Sequence, residues 1–167
     1  MKILTAIFAL ALTTAHAASP LVRPAPEIVF SGIGGLKSLR SLRGQPVVVI
    51  VAKSPTDRAF RKQVKAIEET YRELASRSTV FVAAFSANAS SVASNVPFII
   101  AADGPAVAAA YGLRGDIMVG VIGPDGNLDL ASGEVTRGLR IREIILNNYA
   151  VQNAVRRDQP KGIPTPQ

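Results

Sequence analysis

The sequence predicts an α/β fold, a central mixed sheet with helices on both faces. Three observations carry that prediction. An unbroken β-branched run (Val47, Val48, Val49, Ile50, Val51) leads into a long amphipathic pattern. A second apolar run, TVFVAAF over residues 79–85, follows that pattern and closes a strand–helix–strand unit. Near the C-terminus, Gly123-Pro124-Asp125-Gly126 separates two short apolar segments as a hairpin turn does. Parallel pairing in the first unit and antiparallel pairing in the hairpin make the sheet mixed.

The organising stretch is residues 46–74, PVVVIVAKSPTDRAFRKQVKAIEETYREL. β-Branched residues are stiff at χ1 and suit a pleated backbone. A run without polar alternation describes a strand buried on both faces. Beyond it, Ser54 is placed to cap a helix, with Pro55 at the first helical position and Asp57 at the third. Phe60, Val64, Ile67, Tyr71 and Leu74 recur at steps of four and three and form one helical face. Asp57/Arg61, Glu68/Arg72 and Glu73/Arg77 have the spacing of acid–base pairs on that helix.

Along the rest of the chain, Glu27 to Phe30 reads as a short edge strand and Ser31-Gly32-Ile33-Gly34-Gly35 as a flexible turn. That glycine run is not a dinucleotide fingerprint, because the third glycine is misplaced and no long buried strand precedes it. Leu36, Leu39 and Leu42 have helical spacing. Residues 86–95, rich in Ser, Asn and Ala, read as a loop, and within it Asn88-Ala89-Ser90 matches a glycosylation acceptor. Residues 98–100 are a brief strand, residues 105–111 a short helix stopped by Gly112, and residues 118–122 a strand whose hairpin partner is 127–131. A last helix starts near Arg137. Ile141, Ile144, Ile145, Val151 and Val155 are placed to cover the sheet, with Arg140, Arg142, Arg156 and Arg157 turned away from it.

The first 17 residues have the form of a secretory signal peptide: Lys2, an apolar run from Ile3 to Leu12, and Ala15-His16-Ala17 as a cleavage pattern. Cleavage is expected after Ala17, which makes the mature chain periplasmic or secreted. The domain order read from the sequence is a signal peptide over 1–17, an extended arm over 18–35, the folded domain over 36–157 and a disordered tail over 158–167. No second apolar run is long and uncharged enough to span a bilayer.

Composition then removes whole classes of chemistry. The chain has no cysteine, and its one histidine, His16, lies in the signal peptide. Disulfides, thiol redox, thiolate metal sites and histidine general-base catalysis are excluded from the mature chain. No calcium-loop register occurs among Asp103, Asp116, Asp125 and Asp129, and no cofactor or metal is expected. The charge balance is 19 Lys+Arg to 12 Asp+Glu; without Lys2 it is 18 to 12, a formal +6. A basic exported protein suits anionic lipid headgroups or glycans. No dense basic run interleaved with aromatics points to nucleic acid.

Two longer motifs carry a family resemblance. Leu42-Arg43-Gly44-Gln45-Pro46-Val47-Val48-Val49 is similar to the LRGKPVVV that leads into the central strand of exported thioredoxin-like reductases and peroxiredoxins. Ala110-Tyr111-Gly112-Leu113-Arg114-Gly115, followed by Val121-Ile122-Gly123-Pro124-Asp125-Gly126-Asn127, resembles their YGVRGxPTxxxIDPDG segment without a change of spacing. The resemblance covers residues 36–147. It implies a thioredoxin-like three-layer sandwich. It also implies where redox residues would stand: the two cysteines of a reductase at about Asp57 and Phe60, and the facing cis-proline at Ile117. None of the three is retained, so the loop around Gly115-Asp116-Ile117-Met118 is expected to be shaped differently from its redox relatives.

The expected function is therefore a binding or scaffolding module in the cell envelope without thiol redox activity, with a protein partner there. A basic binder of anionic lipid or glycan is the alternative, and a carboxylate-based enzyme the third class. The candidate contact residues are Lys53, Ser54, Thr56, Asp57, Arg58, Asp116 and Ile117. The turn from Lys53 to Arg58 is either a partner or anion contact or a plain helix cap. Capping accounts for Ser54, Pro55 and Asp57 and leaves Lys53 and Arg58 without a role. No residue is assigned as catalytic.

Overall fold

The computed structural model describes residues 23–87 and 91–158, the last ten of these by their backbone alone. The segment expected to be a signal peptide, with its expected cleavage point, the first part of the arm, the Asn88-Ala89-Ser90 triplet and residues 159–167 lie outside the described residues. So do the side chains of Val151, Val155, Arg156 and Arg157.

The chain begins with a hairpin. Strands β1 (Val29–Gly32) and β2 (Gly35–Ser38) pair antiparallel, with Gly32 opposite Gly35 across Ile33 and Gly34. Gly34 and Gly35 take φ of +89° and +117°, the left-handed region that glycine reaches without steric cost. The hairpin crosses the boundary drawn at residue 36. It also replaces the helix expected from Leu36, Leu39 and Leu42: Leu36 lies in β2 and is exposed, and only Leu39–Leu42 make a single 3₁₀ turn. The glycines allow the backbone to reverse, and pairing then takes the place of helical periodicity.

Next come β3 (Val47–Ala52), α1 (Arg58–Glu68), α2 (Tyr71–Ala75), β4 (Val80–Phe85), β5 (Phe98–Ile100), α3 (Gly104–Ala110), β6 (Ile117–Ile122), β7 (Leu128–Ser132) and α4 (Gly138–Asp158). The five-stranded sheet has the order β5-β4-β3-β6-β7. β3 runs parallel to β4 and β4 to β5, whereas β6 is antiparallel to both β3 and β7. Each residue of β3 and β6 is buried, as an apolar run without alternation requires.

Alternate residues of β3 feed two cores. Val48, Ile50 and Ala52 share one with Phe60, Val64 and Ile67 of α1, Leu74 of α2, and Ile141 and Ile145 of α4. Val47, Val49 and Val51 share the other with Val107 and Ala108 of α3, Phe30 of the hairpin, Leu39 and Tyr111. The molecule is thus three-layered, with α1, α2 and α4 on one face and α3 with the N-terminal segment on the other. The Tyr111 hydroxyl donates to the Pro26 carbonyl at 3.0 Å and holds that segment down. Burial pushes the phenol well above its ordinary range, with Glu27 adding to the shift.

The single long helix expected from residue 55 onward is two helices. Thr70, at φ −117° and ψ 4°, leaves the helical region between them, and its hydroxyl donates to the Ile67 carbonyl. Gly138, the first residue of α4, presses on this point: a Cβ there would lie 2.1 Å from the Ala66 carbonyl oxygen and 2.7 Å from Thr70 Oγ1. Ile67 and Leu74 both stay buried across the break.

Candidate functional site

The end of the sheet where β3 finishes gathers most of the predicted residues. Ala52 pairs with Ile117, so the chain leaves β3 at Lys53 beside the point where Asp116 enters β6. The amides of Ser86 and Ala87 donate to the Ala52 and Lys53 carbonyls at 3.0 Å, which brings the loop after β4 to the same end. β7 runs back toward it, with Ser132 opposite Val119, and delivers the segment that starts α4.

The turn from Lys53 to Arg58 is a closed, hydrogen-bonded unit. The Ser54 amide donates to Asp57 Oδ2 at 2.9 Å, and the Ser54 hydroxyl donates to Asp57 Oδ1 at 3.0 Å. Ser54 Oγ also lies 2.9 Å from Thr56 Oγ1. Asp57, not Ser54, is the residue before the helix, and its carboxylate bonds no amide of α1. The sequence placed Ser54 as the cap, with the helix from Pro55. Instead the carboxylate reaches back, because Ser54 offers it both an amide and a hydroxyl, as short polar side chains do in turns. The first amides of α1 therefore start with no side-chain acceptor.

Cations surround that start. Lys53, Arg58, Arg61, Lys62 and Lys65 are exposed, and Asp57 is the only acid between residues 53 and 65. Among the described residues none of these five is held in an ion pair. The N-terminal end of a helix carries positive partial charge, so Arg58 and Arg61 in the first turn are each unfavourable by about 0.3–1 kcal/mol, whereas Lys65 stands in the last turn, where a cation is favoured. Arg137 and Arg140, at the start of α4, are also exposed and no acid sits in that helix's first turn. Arg140 pairs with Glu143 at 3.3 Å.

Ile117 does not join this surface. It is 3% exposed and belongs to the same core as Phe60. It opens strand β6 rather than a loop, and no peptide bond among the described residues is cis. Phe60 packs edge-on to Phe85, with ring centres 5.0 Å apart. Asp116 is exposed. Asp103 and Asp125 have distinct tasks. Asp103 caps α3, and Asp125 accepts from the Asn127 amide at 3.0 Å and its side chain at 2.7 Å. Asp129 lies at the opposite end of the sheet, where burial and then Asp125 raise its carboxyl above the ordinary range, partly offset by the hydrogen bond from Asn148.

One residue behind this surface escaped the sequence reading. Gln63 is fully buried and clasps the backbone of Thr136: its Nε2 donates to the Thr136 carbonyl at 2.9 Å, and its Oε1 accepts from the Thr136 amide at 2.7 Å. The clasp joins α1 to the start of α4. Its position, three after Phe60 and four before Ile67, puts Gln63 on the apolar face, which was the available signal.

No protein-family model matches the sequence, and no curated protein does. Solved structures do resemble it. The thioredoxin domain of a thiol-disulfide oxidoreductase from Bacteroides vulgatus aligns with a TM-score of 0.54 at 16% identity, over 82% of this chain and 99% of that one. Thioredoxin peroxidase I of Plasmodium yoelii aligns at 0.57 and 13% identity, over 86% and 96%. The fold is thioredoxin-like. The peroxidoxin BcpB of Mycobacterium tuberculosis adds a third likeness, at 0.53 and 15% identity over 80% and 96%. In this thioredoxin-like chain the turn at residues 53–58 holds no thiol, since the sequence has no cysteine. Its own side-chain chemistry there is one hydrogen-bonded carboxylate, two hydroxyls and exposed cations. Among the described residues no helix is long and apolar enough to cross a membrane.

Proposed function

We propose that this chain is a thioredoxin-fold protein of the cell envelope that works without thiol chemistry, as a binding or scaffolding module. Its contact surface is the loop end of the sheet: Lys53, Thr56 and Arg58, with Asp116 alongside. One observation carries the reading. The turn between β3 and α1 is fully built and closed by Ser54 and Asp57, yet it exposes cations that the fold does not neutralise and contains no redox residue. A photocrosslinking residue at position 53 or 58, in cells, should yield a discrete protein adduct, and N-terminal sequencing of the exported chain should begin at Ala18. Purified protein should neither reduce insulin disulfides nor consume peroxide with a thiol donor; measurable turnover in either assay would sink the reading.

The charge supports a second reading, an anionic lipid or glycan as the ligand. Binding to phosphatidylglycerol vesicles should then be firm at low salt and weaken steeply as salt rises. Absence of binding at low salt removes this alternative.

A further inference from the structure

The exposed side of α1 carries more than charge. A groove of about 600 Å³ runs beside it, lined by Thr56, Phe60, Arg61, Val64, Lys65 and Ala93 among others, with Glu68 also on its wall. Phe60 and Val64 belong to the core and give the groove an apolar floor. Arg61 and Lys65, one helical turn apart, are the cations on its wall, and Arg58 and Lys62 continue the charge outside it. From the reading of the loop end as the binding end, on which this step rests, we infer that the groove takes an acidic, extended segment of a protein partner, with one apolar side chain inserted over Phe60 and Val64.

Three features select that occupant. The cations from Arg58 to Lys65 extend over two turns of helix, roughly 10 Å at about 1.5 Å per residue, which is the reach of three or four residues of extended chain. A single small anion would cover one or two of them. The sign of the surface asks for an acidic partner, because no acid precedes Glu68 on α1 to balance it. The apolar lining at Phe60 and Val64 shares one groove with Arg61 and Lys65, so a segment that pairs an apolar side chain with acidic neighbours matches both.

Selection of random dodecapeptides displayed on phage, against the full immobilised chain, tests this directly. Enriched peptides should be net acidic and carry at least one large apolar residue. The pair Arg61→Glu and Lys65→Glu should weaken a selected peptide by about tenfold or more. Ala93→Trp, at an exposed position, should weaken it about threefold by filling the groove while leaving the unfolding temperature unchanged. Enrichment of neutral or basic peptides, no enrichment at all, or indifference to the charge reversals would overturn the inference. Displacement of the peptide by phosphatidylglycerol vesicles that show the same dependence on Arg61 and Lys65 would also overturn it, in favour of lipid. If no acidic peptide is selected but crosslinks from positions 53 and 58 still form, only the groove inference falls; if the crosslinks fail as well, the binding end itself is misplaced.

Discussion

Two helices in this molecule begin directly after an aspartate, and they begin in opposite ways. Before α3, Asp103 turns its carboxylate onto the helix and accepts from the Ala106 amide at 2.9 Å, with Pro105 in the first turn. Before α1, Asp57 turns its carboxylate away, onto Ser54, and the first turn fills with Arg58 and Arg61. At α3 the cap satisfies an amide of the first turn. Its start is also pressed into the sheet, since Gly104 is buried against Phe85. The start of α1 faces solvent, uncapped by a side chain and carrying charge of the sign its dipole disfavours. Two helix starts at the same end of the sheet, on opposite faces, thus differ in how they are built, and substitution at each can measure the difference.

The largest effect belongs to the pressed end. A Cβ added at Gly104 would stand 2.0 Å from the Phe85 carbonyl oxygen and 2.8 Å from its carbonyl carbon and amide nitrogen, all backbone atoms that cannot swing aside. Gly104→Ala should cost about 3 kcal/mol or more, a fall of roughly 6–12 °C in unfolding temperature for a domain of this size. Thermal unfolding followed by circular dichroism checks it. An unchanged midpoint would mean that α3 is not docked this tightly.

Next is Gln63, which ties the open end of α1 to α4. Gln63→Leu keeps the volume and strands the amide and carbonyl of Thr136 in a buried place. The expected loss is about 2–3 kcal/mol, read from the urea midpoint. A cost near zero would show that water takes over both groups, and that the two helix starts are not rigidly coupled.

Asp103→Ala should cost about 1 kcal/mol by removing the cap of α3, and should speed hydrogen exchange at the Ala106 amide. Asp57→Ala should cost about as much by opening the turn at Ser54, yet leave exchange of the Ala59 and Phe60 amides unchanged, because its carboxylate never covered them. Faster exchange at Ala59 or Phe60 would erase the contrast between the two aspartates.

The fold was legible because the strands announce themselves. The valines of β3 and the run ending at Phe85 specify a doubly covered sheet, and Gly123-Pro124-Asp125-Gly126 specifies the antiparallel edge hairpin. Local capping was not legible. Ser54, Pro55 and Asp57 satisfy the pattern of a helix start at residue 55, but the choice between bonding forward to the helix and backward to Ser54 is made by turn geometry that the letters do not encode. The break at Thr70 was hidden for a different reason. It depends on the close approach of Gly138, 68 positions away, and the apolar spacing from Phe60 to Leu74 reads the same with or without it. At the site, Lys53 and Arg58 stood out because capping left them without a role. Ile117 was misassigned as a contact because a position defined by resemblance says nothing of burial.

The smallest expected change in stability is the most telling. Arg58 opens α1, where the helix end is positive, and it lies three and four residues before Arg61 and Lys62 on the same face. Arg58→Glu reverses both relations. The dipole term should return about 0.3–1 kcal/mol and the new pairs with Arg61 and Lys62 a few tenths more. The variant should therefore unfold at a slightly higher urea concentration than the parent, with a gain that shrinks as salt is added, because exposed charges are screened beyond about 10 Å at 0.1 M. The same variant should lose the crosslinks that form from position 53. A residue that lowers stability where it stands, and whose removal improves the fold while abolishing contact, is held for the contact. If Arg58→Glu instead lowers stability, Arg58 is part of the scaffold, α1 begins as well balanced as α3 does, and the case for a binding surface at this end of the sheet loses its electrostatic argument.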